Sequence, residues 1–282
     1  MSILDRYFGL FSEGADDAKH RARALDVYER TLEALKHIKP SDLGIPSSRE
    51  KNVSVDLGEL LDEPELSDLE LWFTPWTKHG EGKTGGKDGE FGHTKNKYVK
   101  YVRLFVMLGK DVDANELTAR AKNIPIEKWK DLIARNASKI LQRSKQAFWH
   151  EFIHYIDYNR VHPDSRPGAF QKKNQLGNLK SHDPVDIEKK KAKYYNDPIE
   201  FNAFVQQGLS QIENHLRSIK SKADAQKLVG KSANEFYTLV LKVLTPSFVK
   251  YMDEKFKAKL KKRVAQMYQE IMQKFDGGST NV

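Results

Sequence analysis

Cysteine is absent from the 282 residues. This removes disulfides, thiolate zinc sites, iron–sulfur clusters and cysteine nucleophiles together, and it suits a reducing compartment. Long apolar runs are absent too. Mean hydropathy is −0.68, and no stretch approaches the roughly 18 residues that a membrane helix needs. The opening MSILDRYFGLFSEGADD has no basic region followed by a long apolar stretch. No signal peptide is therefore expected, and a cytoplasmic location is. Acidic residues are outnumbered: 48 Lys and Arg stand against 39 Asp and Glu, a net charge of +9. Aromatic residues are plentiful at 10%, which argues against global disorder. The length allows one or two domains with a buried core.

The basic residues are spread along the chain, with one late cluster at Lys255, Lys257, Lys259, Lys261, Lys262 and Arg263. The ordinary reading of such a cluster in a helical pattern is a solvated face, and weak polyanion contact through Lys255–Arg263 is the other.

Periodicity places helices over residues 15–38, 126–136, 138–160 and 197–219, and over 232–275 with a break at Pro246. Strands are expected at 69–73 and, most clearly, at Tyr98–Leu108, with a short one near Val53. Residues 78–93 hold six glycines and read as a loop or open hairpin, and 161–194 as a polar connection. These elements give an α+β chain, mainly α, with a small sheet. The expected organisation is an N-terminal helical segment (1–50), a central domain (51–220), a C-terminal helical segment (221–276) and a disordered tail (277–282).

Gly82-Lys83-Thr84 imitates the end of a phosphate-binding loop. That motif needs a glycine five positions earlier, where Thr77 stands, and a helix rather than a strand afterwards. Nucleotide binding is rejected there.

The chemistry-bearing motif is His150-Glu151-Phe152-Ile153-His154. Random ordering of this composition would yield on the order of 0.02 such H-E-x-x-H matches. On a helix turning about 100° per residue, the two histidines lie about 40° apart, with Glu151, Asp157 and Tyr158 inside the same arc of about 120°. Phe148, Trp149, Phe152, Ile153 and Ile156 occupy the opposite arc. Two imidazoles one turn apart can hold one tetrahedral metal ion. Glu151, set to the side, can take a proton from water at the metal without ligating it. The bland alternative is an amphipathic helix with two solvent-facing histidines.

Downstream runs Tyr194-Tyr195-Asn196-Asp197-Pro198-Ile199-Glu200-Phe201-Asn202-Ala203-Phe204. Asp197 as N-cap and Pro198 at the first helical position put Glu200 in the first turn of a helix. Together the two segments resemble the gluzincin metallopeptidases, in which HExxH is followed by a helix whose Glu is the third zinc ligand. Glu200 and Ala203 match the E-x-x-A pattern of that helix, although Glu200 alone also reads as a capping glutamate. The metzincin extension fails, because Asp157 and Arg160 stand where it needs glycine and histidine. The resemblance covers about residues 98–207. It implies a zincin-like fold with Zn2+ held by His150, His154 and Glu200, and with Glu151 as general base. By the same resemblance, Tyr195 or Tyr194 is the candidate oxyanion donor, and Tyr98–Leu108 an exposed edge strand holding a protein or peptide substrate. Either tyrosine reads equally as a core aromatic. Phe204 stands where thermolysin-like members carry an aspartate that orients a histidine, a role Asp157 can fill.

Two other readings stay open. One is a non-catalytic structural or partner-binding protein of the same fold, virion- or mobile-element-associated. The other is a nucleic-acid-binding protein using the late basic cluster.

Overall fold

Apolar side chains at alternate positions in the two best strand candidates give a sheet with one fully buried face, and helices supply the rest. The computed structural model describes residues 15–47, 52–76, 89–93, 99–107, 125–161, 184–216 and 218–276. In chain order the elements are α1 (Ala15–Ala34), β1 (Gly44–Ser47), β2 (Asn52–Asp56), α2 (Leu57–Leu61), β3 (Leu69–Trp76), β4 (Gly89–His93) and β5 (Lys100–Met107). They are followed by α3 (Ile126–Arg143), α4 (Lys145–Val161), α5 (Pro184–Tyr195), α6 (Pro198–Leu216), α7 (Lys222–Val229), α8 (Ala233–Val243), α9 (Pro246–Tyr251) and α10 (Glu254–Asp276). The fold class is α+β, mainly α. No described helix is long and apolar enough to cross a membrane. The chain divides into two units. One runs from Asp26 to the end of α4, and the other joins the start of α1, through Leu25, to the chain from α5 onward.

In the first unit the sheet order is β1-β2-β3-β5-β4. Only β3 and β5 run parallel. Val53 and Val55 of β2, Leu71 and Phe73 of β3, and Val102 and Leu104 of β5 are in register across it and buried. On this sheet α3 contacts β2 and β5, and α4 contacts β4 and β5. The apolar stripe of α3, from Trp129 to Leu141, is buried. Behind α4, Tyr28 of α1 packs its ring against Phe148 and Trp149, at 5.9 and 5.6 Å between centroids.

Polar contacts fix where α4 lies along the sheet. The Tyr155 hydroxyl donates to Asp68 Oδ1 at 2.8 Å. The Lys100 ammonium donates to Asp68 and to Asn159 of α4, and sits 5.4 and 5.3 Å from the ring centres of Tyr155 and Tyr158. A desolvated ammonium with a carboxylate, an amide and two aromatic faces around it is well satisfied. It therefore acts as a fixed peg between β5 and α4.

Three expectations need correction. The strand at Tyr98–Leu108, expected at the edge, is internal as β5, flanked by β3 and β4. The edge on that side is β4, cut from the glycine-rich stretch that read as a loop or hairpin; the rest of that stretch lies outside the described residues. Alternation decides the matter: Phe91 takes the buried face opposite Val102, while Gly92 on the other face is covered by its partner Tyr101. A Cβ on Gly92 would stand 2.3 Å from that ring, so glycine makes room for the aromatic that stabilises the strand. Finally, residues 184–195, expected as part of a polar connection, form helix α5. The tail at 277–282 also lies outside the described residues.

The second unit is helical. Asp197 caps α6 as expected, its side chain accepting from the Ile199 amide at 2.9 Å. Ser221 and Ser232 cap α7 and α8 through the amides of Asp224 and Glu235. Phe201, Phe236, Phe248, Phe256 and Leu260 lie in its core. A buried polar lane runs along α6: Arg21 donates to Glu213 and Gln206, Gln206 to Asn202, and Arg263 to Asn202.

Burial, with Glu29 nearby, pushes the Tyr28 phenol from its ordinary 10.0 up to about 12. The folded state therefore keeps a proton that the unfolded chain releases near pH 10, and the stability this provides is complete below that value. Stability measured by urea unfolding should fall as pH rises from about 10 towards 12. Tyr28→Phe should flatten that part of the profile.

Candidate metal centre

Helix α4 begins immediately after Ser144, whose amide still bonds back to the Ile140 carbonyl of α3. From there Phe148, Trp149, Phe152 and Ile153 are buried as the core face, as the periodicity predicts. The ionisable arc is not a solvent face. His150 is 7% exposed, His154 6% and Tyr158 1%, which sets aside the alternative of two solvent-facing histidines. Burying two imidazoles is costly unless their nitrogens are engaged.

The rings meet nearly perpendicular, at 89° with centroids 4.7 Å apart. Their Nε2 atoms are 3.1 Å apart. With Zn–N bonds of about 2.0–2.1 Å, two nitrogens at that separation subtend an angle of about 95–102° at a shared ion, close to tetrahedral. One ligand atom from each of His150, Glu151 and His154 falls within 4.8 Å of the other two. Among the described residues this is the one group of three or more His, Asp or Glu side chains with that compactness. The group could hold a metal ion, with the two imidazole nitrogens as its nearest pair of donors.

Glu151 is held from outside its own helix. Its Oε2 accepts a hydrogen bond from the Phe91 main-chain amide of β4 at 2.7 Å. Phe91 also packs its ring near Tyr155 and Tyr158, 6.4 and 6.2 Å between centroids. At Gly89 a Cβ would stand 3.1 Å from Ala147 Cβ and 3.3 Å from Glu151 Cγ. The sequence reading missed both residues. Their only signal was the alternation Gly-Glu-Phe-Gly-His at the end of a glycine-rich run.

The structure thus brings together His150, Glu151 and His154, with Asp157 one turn further on α4 and half-buried. Glu200, Tyr194 and Tyr195 belong to the helical unit. Glu200 stands in the first turn of α6, as expected from the sequence. Tyr194 lies 5.1 Å from Tyr195, ring to ring. The Tyr195 ring stacks on Tyr251 at 5.7 Å and 1°, and lies 5.4 Å from Phe204. Burial raises the Tyr195 phenol above its ordinary value, against a hydrogen bond with Ser247 that lowers it. The Tyr195 ring is partly buried and packs against the apolar core of its unit.

The late basic cluster is partly engaged within its own helices. Lys257 pairs with Glu254, and Lys259 lies over the Phe256 ring. Arg263 donates to Asn202 and lies over the Phe201 ring. Burial first, then Lys255 and Arg263, holds Lys259 below the usual lysine range.

No protein family, curated protein or solved structure matches the chain.

The histidine geometry predicts about one equivalent of zinc per chain by elemental analysis after reconstitution. His150→Ala and His154→Ala should each lose it, whereas His215→Ala, at an exposed position on α6, should not. Full occupancy in both site variants would rule out the centre.

Proposed function

We propose that the protein is a zinc-dependent endopeptidase of the gluzincin type, acting on a protein or peptide substrate. One observation carries the reading: two buried imidazole nitrogens 3.1 Å apart beside a carboxylate seated on an edge strand. His150 and His154 would hold the ion, and Glu200, on the sequence pattern alone, would complete the set. When bound, zinc supplies Lewis acidity towards a carbonyl oxygen and makes water a nucleophile near neutral pH.

The residues then have separate tasks. Glu151 Oε1 accepts the proton of the attacking water and passes it to the leaving amine, while Oε2 stays with the Phe91 amide. Core packing at Trp149 and Phe152 keeps the two imidazoles on one side of α4. The Lys100 peg keeps α4 from sliding over the sheet. Asp157, one turn beyond His154, is suited to fixing a ring tautomer rather than ligating, since three donors from one straight helix crowd one side of a tetrahedral ion.

Glu151→Gln should retain zinc and lose peptide hydrolysis by about 10²-fold or more, because an amide takes up no proton. Equal turnover in this variant would remove Glu151 from the mechanism. Glu200→Ala should release most of the zinc, whereas Asp157→Asn should weaken affinity by about 10–100-fold. The opposite order in metal titrations would exchange the roles of the two carboxylates.

A further inference from the structure

Amides on the free side of an edge strand ordinarily face water or an incoming strand. Phe91 departs from that rule. Its amide donates to a side chain of α4, 60 positions along the chain. The same strand comes so close to the helix at Gly89 that a single added carbon would press on Ala147 and on the stem of Glu151, as well as on the Arg103 carbonyl of β5. Strand propensity alone disfavours glycine there, and a β-branched residue would suit the ladder better. Two of the three nearest atoms belong to α4, so the helix approach accounts for most of the need for glycine there.

We propose that β4 is the positioning element of Glu151. The Phe91 amide seats the carboxylate, and the bare Cα of Gly89 sets the distance at which it does so. For its catalytic meaning this rests on the metallopeptidase reading; the contact itself does not. The seat leaves Oε1 for proton transfer and restrains the side chain to one rotamer, so little reorganisation precedes the chemical step. Neither Gly89 nor Phe91 touches the reacting atoms in this scheme; both act through Glu151.

The test is residue-resolved amide hydrogen exchange on the metal-free protein, with peptide hydrolysis as a second readout. In the wild type the Phe91 amide should exchange about 100-fold or more slower than an unprotected amide. Glu151→Ala should bring it close to the unprotected rate while Val102 and Leu104 in β5 keep their protection. Gly89→Val should do the same and lower the thermal midpoint, because its carbons press on Ala147, the Arg103 carbonyl and Glu151, while the β5 amides stay protected. With zinc bound, Gly89→Val should lower kcat by about 10-fold or more at nearly constant KM. A freely exchanging Phe91 amide in the wild type, or protection that survives Glu151→Ala, overturns the proposal whatever the activity. Full kcat in Gly89→Val overturns the positioning role. A wild type that shows the exchange pattern and hydrolyses no peptide leaves the seat in place and refutes the metallopeptidase reading instead.

Discussion

Two imidazole rings buried side by side set the terms for this protein. Each nitrogen taken from water needs a replacement partner, because an unmatched polar group inside a protein costs on the order of 1–3 kcal/mol. The separation of 3.1 Å between the Nε2 atoms meets that need in one of two ways: the rings share a proton, or they share a cation. Burial of both rings requires α4 to be held in one rotation about its axis. Tyr28 behind Trp149, the Asp68–Tyr155–Lys100 cluster towards its end, and Phe91 at Glu151 hold it from three directions.

The sheet serves that helix more than it serves itself. Its buried face is apolar and regular, and its edge on the α4 side is a short strand with glycines at Gly89 and Gly92. A strand of such low intrinsic propensity persists because Tyr101 covers one glycine and the helix packs against the other. The edge can thus approach the helix closely enough for a main-chain amide to reach a carboxylate. In the proposed reaction that contact separates the tasks of the two carboxylate oxygens.

Much of this was legible in the sequence. Periodicity gave α4 its apolar face, and the i, i+4 spacing put the histidines together, because both follow from the geometry of one helix. The cap at Asp197-Pro198 was legible for the same local reason. What was not legible depended on partners far along the chain. Nothing local signals that His150 and His154 are buried. The resemblance makes β5 an edge, and nothing local reveals that Gly89–His93 pairs outside it. The ring contacts of Tyr195 with Tyr251 and Phe204 were hidden for the same reason, since Tyr251 lies far along the chain. Helix α5 was hidden by its run of lysines, which carries little apolar periodicity.

The central claim is that His150 and His154 share one ion. X-ray absorption at the zinc edge of the reconstituted protein measures this most directly. The account predicts a first shell with two imidazole nitrogens at about 2.0–2.1 Å, completed by oxygen donors, and loss of the imidazole scattering in His154→Ala. A shell made only of oxygens in the wild type, or one unchanged by that substitution, would contradict it.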